Sequence, residues 1–233
     1  MNAPVRLFSI LVPVYNEEAT VRAVVDRLRE LAFAVPHEIV VVNDGSTDGT
    51  RQALDAIPGH ASLRVFHAGQ NGGKGRAIRF GLQQARGDVV AIQDADLELD
   101  PSQLNALIAP ILAGTTDVVY GSRFMEPTNA APRRTMVANA FLTRLTNLLY
   151  GSALTDMETC YKVMRTEIAL SLALTADRFD IEPEITAKLL RARHAILELP
   201  VRFEPRSRAA GKKIGWRDGI QAIQCLLRHR FTA

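Results

Sequence analysis

Across the first 120 residues the apolar positions follow two alternating periods. Residues 8–14 are a near-continuous apolar run, broken only by Ser9, as a strand covered on both faces requires. Residues 18–31 instead space Val21, Val24, Val25 and Leu28 at helical intervals. The pair then recurs: strands are predicted at 38–42, 63–66, 88–92 and 117–120, and helices at 48–57, 74–85 and from Pro101, which sits in the first-turn position. Strands alternating with helices, with no hairpin signals, predict an α/β fold with a mostly parallel central sheet flanked by helices.

The second half is less regular. Helices are predicted at 134–150, 183–193 and 218–227, and strands near 160–164 and over 196–203. No low-complexity linker or solenoid repeat interrupts the chain, so residues 1–233 are expected to form one domain. Within 134–150, Val137, Phe141, Leu145 and Leu148 form a stripe opposite Asn139, Thr143 and Thr146, widened by Leu142 and Leu149. Such a stripe either faces the core, the commoner case, or dips into a bilayer. Ile220, Ile223 and Leu227, behind Trp216, are expected to face the core.

Composition narrows the class. A chain of 233 residues with 47% hydrophobic and 23% charged residues can bury a full core without disulfides, which excludes a disordered protein. Mean hydropathy is +0.02 and no apolar run approaches the roughly 18 residues of a spanning helix. The amino terminus lacks the pattern of a secretory signal, and Cys160 and Cys225 belong to no Cys-x-x-Cys pair. A cytoplasmic protein is expected, with peripheral attachment at the inner face of the cell membrane as a further option. The net charge of +3 is uneven: residues 201–233 carry +6 and the remainder −3. A basic end suits a phosphate-bearing partner or is simply a solvated surface. Aromatic residues, 6% of the chain, are not interleaved with it, so no nucleic-acid partner is expected.

Ligands of open parallel sheets bind beyond the carboxyl ends of the strands. Polar and glycine residues fall there after each of four predicted strands: Pro13 to Glu18, Asn43 to Gly49, Asn71 to Gly75 and Asp94 to Glu98. In extended chain Asp94, Asp96 and Glu98 would share one side, a row of carboxylates that repels itself unless a hard cation offsets it. Mg²⁺ or Mn²⁺ suits oxygen ligands; the alternative is an acidic helix entry capped by Asp100 or Ser102. The loop 71–75 is no Walker motif, because Ala68 and Gly75 stand where Gly and Ser or Thr belong. It suits an anion or a base edge at a helix start, or is a plain glycine turn. Pro13 and Tyr15 replace the Gly-x-Gly-x-x-Gly of a dinucleotide dehydrogenase.

Taken together, residues 12–17, 42–50, 71–75, 94–97, 121–124, 155–162, 182–184 and 205–219 resemble the motifs of family 2 glycosyltransferases, with dolichyl- and polyprenyl-phosphate sugar synthases nearest in pattern. The resemblance implies the GT-A fold, a Rossmann-like sheet with a nucleotide-binding half over 1–121 and an acceptor half over 122–233. It implies that Pro13, Tyr15, Glu17, Asp44, Lys74, Asp94, Arg206 and Lys212 bind the donor. It makes Asp96 a metal ligand, and Glu98 a second one, although relatives often carry Gln at that place. Arg123, Arg133 and Arg134 would bind the acceptor, and Asp96, Arg123 and Asp156 would serve catalysis.

The implied enzyme is a metal-dependent, inverting hexosyltransferase that moves a sugar from a nucleotide-diphosphate sugar to a polyprenyl or dolichyl phosphate in one displacement. Alternatives are transfer to a hydroxyl of a glycan or small molecule, and a non-catalytic nucleotide-sugar binding module. A diphosphate departs with growing negative charge, so cations are needed near it: a divalent ion on Asp96, with Lys74, Arg206 and Lys212 or Lys213. In the family the basic segment at 206–213 closes as a lid; a disordered basic loop fits the same small residues. A hydroxyl acceptor needs a carboxylate base, for which Asp156, Glu158, Glu182 and Glu184 are available; a phosphate needs positioning alone.

Overall fold

The computed structural model describes residues 3–126, 133–205 and 216–232, the side chains of 133–135 and 216–217 excepted. Seven strands, β1 (Phe8–Val14), β2 (His37–Asn43), β3 (Leu63–His67), β4 (Val89–Ile92), β5 (Val118–Ser122), β6 (Lys162–Arg165) and β7 (Leu197–Pro200), join in one sheet. Their order is β3-β2-β1-β4-β6-β5-β7. All pairings are parallel except those of β6, which runs antiparallel to both β4 and β5. The mostly parallel sheet expected from the alternating periods is therefore present, with one reversed strand that the periodicity does not reveal.

The eight helices among the described residues are α1 (Val21–Glu30), α2 (Thr50–Asp55), α3 (Lys74–Gln84), α4 (Leu104–Leu112), α5 (Arg133–Tyr150), α6 (Thr166–Ser171), α7 (Ile181–Arg191) and α8 (Trp216–Phe231). Helix α1 buries Val21, Val24, Val25 and Leu28 completely, each a gain of about 1.5–3 kcal/mol. A 3-10 turn, Pro101–Gln103, leads into α4; the Asp100 carboxylate caps it by accepting from the Ser102 N–H. Helix α6 was not expected, being too short for its period to be read.

Helices α5, α7 and α8 pack together over a second apolar cluster of Leu142, Met157, Ala187, Ala222 and Leu226. The faces expected for two of them hold only in part: Leu142, Leu145 and Leu149 of α5 and Ile223 of α8 do pack in or against this cluster, but the other expected residues do not. On α5, Val137, Phe141 and Leu148 are 68%, 56% and 82% exposed, whereas Thr143 and Thr146 are buried. Thr143 Oγ1 accepts from the Met157 N–H, and Thr146 donates to the Leu142 carbonyl, so polar side chains face inward because the protein supplies their partners. On α8, Ile220 and Leu227 are exposed and Ala222 and Leu226 are covered.

Because β6 is reversed, the segment before it, 151–161, arrives at the edge where β1, β2 and β4 end. The Cys160 thiol lies 3.7 Å from the Ile92 carbonyl, the last residue of β4. A void of about 20 Å³ beneath the sheet, lined by Leu11, Ile78, Leu82 and Ile185 among others, is too small and apolar for a substrate.

Candidate active site

The loops after β1 and β2 are laced together. Thr47 N–H donates to Asn16 Oδ1 at 2.8 Å, Asn16 N–H to Ser46 Oγ at 2.9 Å, Glu17 N–H to Thr50 Oγ1 at 2.8 Å, and Gly49 N–H to Glu18 Oε2 at 2.7 Å. Pro13 and Tyr15 are half-buried beside them, and Glu17 is buried, accepting from the Thr20 hydroxyl at 3.0 Å.

Asp44, 3% exposed, draws the loop 71–75 onto the end of β2. Its carboxylate accepts from the Gly72 N–H at 2.9 Å and the Gly73 N–H at 2.6 Å. Burial nevertheless leaves its pKa above the ordinary value, these donors offsetting only part of the shift. Gly73 sits at φ +98°, and a Cβ there would lie 2.3 Å from the Asp177 carbonyl oxygen, so only glycine suits the start of α3.

The acidic segment after β4 is not extended. Leu97 adopts φ +60° and the Glu98 N–H donates to Asp96 Oδ1 at 3.1 Å, so the chain turns and the three carboxylates do not form one row. Gln93 and Tyr161 brace the turn from beneath: the Tyr161 hydroxyl is 2.7 Å from Gln93 Oε1, and Gln93 Nε2 donates to the Asp94 and Leu99 carbonyls. Asp94, Asp96 and Glu98 all keep partial exposure at the sheet edge.

Lys74, at the start of α3, lies between two carboxylates. Its Nζ is 2.8 Å from Asp94 Oδ1 and 2.9 Å from Glu182 Oε1. Burial disfavours the ammonium, but Asp94 and Glu182 outweigh it and hold the pKa well above the ordinary value. For Asp94 burial pushes upward and Lys74 pulls down; the lysine wins and the carboxyl stays below its usual range. Glu182 Oε1 receives no well-aligned hydrogen bond, so its link to Lys74 is Coulombic.

Glu182 also pairs with Lys162, whose side chain is fully buried, at 2.6 Å. The Lys162 ammonium donates in addition to the Met157 and Thr159 carbonyls and lies 4.9 Å from the centre of the Tyr120 ring. An ionic chain thus runs Asp94–Lys74–Glu182–Lys162 from the loop after β4 to β6.

Arg123, after β5, completes the edge. Its Nε donates to Asp156 Oδ2 at 2.7 Å and its Nη2 to Oδ1 at 2.8 Å, a two-pronged contact, while the Arg123 N–H donates to Oδ2 at 3.0 Å. The guanidinium also lies 5.4 Å from the Phe203 ring centre. It is close enough to Asp94 to help lower that pKa. Asp156, expected to serve catalysis, is fully buried, and both of its carboxylate oxygens accept hydrogen bonds from Arg123.

Arg206, Lys212 and Lys213 lie outside the described residues, as do the side chains of Arg133 and Arg134. Lys162 was missed as part of the site, although a lysine between Tyr161 and Val163 in an apolar strand signals a buried charge in need of a partner. The donor set fits a hard divalent cation held by few protein ligands: Asp96 and Glu98 offer carboxylates at the exposed turn, while both Asp94 oxygens contact Lys74. Among the described residues no three His, Cys, Asp or Glu side chains form a ready-made cage.

The architecture is that of the GT-A glycosyltransferases. Glucosyl-3-phosphoglycerate synthase from Mycobacterium tuberculosis, crystallised with Mn²⁺, uridine diphosphate and phosphoglyceric acid, matches with a TM-score of 0.77 over 98% of this chain and 80% of that one, at 22% identity. Residues 9–171 match the model of glycosyl transferase family 2, and the chain belongs to that family. Glycosyltransferase AglD of Haloferax volcanii is 31% identical over 211 residues, 85% of this chain and 33% of the relative. The undecaprenyl-phosphate 4-deoxy-4-formamido-L-arabinose transferase of Pseudomonas aeruginosa is 33% identical over 189 residues, 77% of this chain and 53% of that one. The chain spans 33–63% of the length of the first curated relatives it matches.

Proposed function

We propose that the chain is an inverting glycosyltransferase that moves a sugar from a nucleotide-diphosphate sugar to a polyprenyl phosphate. The carrying observation is the two-sided edge: the carboxylate turn 94–98 and Lys74 on one side, and Arg123, aimed by Asp156, within electrostatic reach of Asp94 on the other. On this reading residues 1–121 seat the donor and residues 122–233 the acceptor. The lipid-phosphate name of the Pseudomonas relative supports the acceptor class, and the Mn²⁺ and uridine diphosphate of the mycobacterial enzyme support the donor class.

Asp96 and Glu98 would hold Mg²⁺ or Mn²⁺, which when bound supplies Lewis-acid neutralisation of the departing diphosphate. The chain's own residues do the rest. The laced loops at 13–18 and 43–49 and the 71–75 loop orient the nucleotide, and Asp94 and Lys74 fix the floor beneath it. Arg123 holds the acceptor phosphate so that one of its oxygens attacks the anomeric carbon from the face opposite the leaving diphosphate. A phosphate is already anionic, so no base must remove a proton. Peripheral contact with a membrane agrees with the exposed Val137, Phe141 and Leu148 on α5; among the described residues no helix is long and apolar enough to cross one.

The test is incubation with UDP-, GDP- and dTDP-sugars, Mg²⁺ or Mn²⁺ and a short polyprenyl phosphate, followed by mass analysis. A glycosyl-phosphoprenol product, lost in Asp96→Asn with unfolding temperature preserved, is expected. Sugar appearing only on hydroxyl acceptors overturns the reading.

A further inference from the structure

Behind the carboxylate turn lies a polar pair that the chemistry above does not use. Gln93, which follows β4, and Tyr161, which precedes β6, are both fully buried. Their hydrogen bonds permit one orientation of the amide. Gln93 Nε2 lies 2.9 Å from the Asp94 carbonyl and 3.2 Å from the Leu99 carbonyl; carbonyls only accept, so the nitrogen stands there and uses both of its protons. Gln93 Oε1 then meets the Tyr161 hydroxyl, which donates to it at 2.7 Å and lies 2.8 Å from the Asp100 carbonyl. The amide thus draws the two ends of the turn together, and the hydroxyl fixes the amide. A further tie comes from beyond β7, where the Glu204 N–H donates to the Glu98 carbonyl at 2.9 Å. Within this frame Leu97 is held at φ +60°, a left-handed conformation that a bulky side chain keeps only where its surroundings over-determine it. Its two neighbours are Asp96 and the partly exposed Glu98.

We infer that Gln93 and Tyr161 are positioning residues for the divalent cation: they fix the backbone of 94–100, so that the Asp96 and Glu98 carboxylates are in place before the ion binds. The inference rests on the reading that Asp96 and Glu98 hold Mg²⁺ or Mn²⁺. Gln93 and Tyr161 have no exposed surface, so they act through the turn and not on the ion. The brace sets both how tightly and how selectively the ion is held. Mg²⁺ demands near-ideal octahedral geometry whereas Ca²⁺ accepts an irregular one, so a released turn loses Mg²⁺ more than Ca²⁺. Tyr161→Phe deletes the hydroxyl alone and leaves the Gln93 amide free to swing off its two carbonyls.

The test is calorimetric titration of UDP, GDP and dTDP into the full chain in EDTA, Mg²⁺, Mn²⁺ or Ca²⁺. In the wild type at least one nucleotide is expected to bind more tightly with Mg²⁺ or Mn²⁺ than in EDTA, and that ratio measures the hold on the ion. Tyr161→Phe should cut the Mg²⁺ ratio about 10-fold or abolish it, cut the Ca²⁺ ratio less, and leave affinity in EDTA unchanged. Tyr120→Phe is the comparison for stability: it removes another fully buried tyrosine hydroxyl, 3.0 Å from Thr186 Oγ1, and should lower the unfolding temperature without moving the ratios. Equal ratios for wild type and Tyr161→Phe, or affinity falling equally with and without the ion, overturn the positioning role and leave the metal site standing. Absence of any ion effect on any nucleotide in the wild type overturns the metal site and the inference with it, while sugar transfer is judged separately by product mass. If Tyr161→Phe does not fold, hydrogen exchange of the Glu98 and Glu204 N–H groups in the wild type decides. Slow exchange in EDTA, slowed no further by Mg²⁺ and nucleotide, shows a turn set beforehand; fast exchange in EDTA, whether or not the ion slows it, overturns the inference.

Discussion

Lys74 and Glu182, 108 positions apart in the chain, meet at 2.9 Å, and through them the loop that opens α3 is tied to the first turn of α7. The contact places the cation that opens α3 against a carboxylate that also pairs with Lys162. Neither lysine is spare charge: each is held in place by a carboxylate shared with the other.

Removing one end of a buried ionic chain leaves the next group uncompensated. Lys162→Met should lower the free energy of unfolding by about 3–5 kcal/mol, read from urea denaturation. Adding Glu182→Gln should recover part of that loss, because the orphaned charge goes with it; a double variant weaker than the sum of the singles contradicts the chain as described.

Arg123→Lys keeps the charge and discards the fork that Asp156 aligns. The expected result is a rise of roughly 10-fold or more in KM for a prenyl phosphate, about 1.5–3 kcal/mol of charged hydrogen bonding, with nucleotide binding nearly unchanged. Steady-state kinetics with each substrate varied in turn separates the two effects.

Glu158, in the segment before β6, makes stability depend on pH, in the direction opposite to an ordinary salt-bridged acid. Burial raises its folded pKa to about 7, above the unfolded value near 4.5, so the native state holds the proton more tightly. The contribution is complete below about pH 4.5 and is lost as pH rises through 7, amounting to at most about 3 kcal/mol. Thermal unfolding should show this decline between pH 5 and 8 in the wild type, and Glu158→Gln should flatten it.

Phe141→Asp with Leu148→Asp alters only solvent-facing positions on α5, 56% and 82% exposed. Stability should change by less than about 1 kcal/mol, whereas co-sedimentation with vesicles of anionic lipid should fall several-fold. Unchanged co-sedimentation would remove α5 as the contact.

The central strands were legible because a parallel strand buried on both faces is a near-continuous apolar run, as β4, β1 apart from Ser9, and residues 39–42 of β2 are. Three features were hidden, each for a physical reason. The Asp94–Glu98 segment reads as extended only if side-chain bonding is ignored; Asp96 bonds its own backbone two residues on and Leu97 takes a left-handed conformation. Part of the buried face of α5 was missed because Thr143 and Asn147 satisfy groups in the segment 151–157 and Thr146 donates to the Leu142 carbonyl of its own helix, whereas hydropathy counts all three as solvent-seeking. Asp156 carries the chemistry expected of a base, but its burial under Arg123 depends on a contact between two strands' loops that no local pattern encodes.

The reversed β6 has an engineering consequence. Strands running the common way deliver the loop that follows them to the working rim, whereas this one delivers the loop that precedes it. Residues 151–161 are anchored by Asn147 at one end and by the ladder of Lys162 to Arg165 at the other. That stretch also carries Asp156, which aligns Arg123, and Tyr161, which braces Gln93 and the turn after β4, so a change of sequence there is transmitted to both flanks of the rim at once.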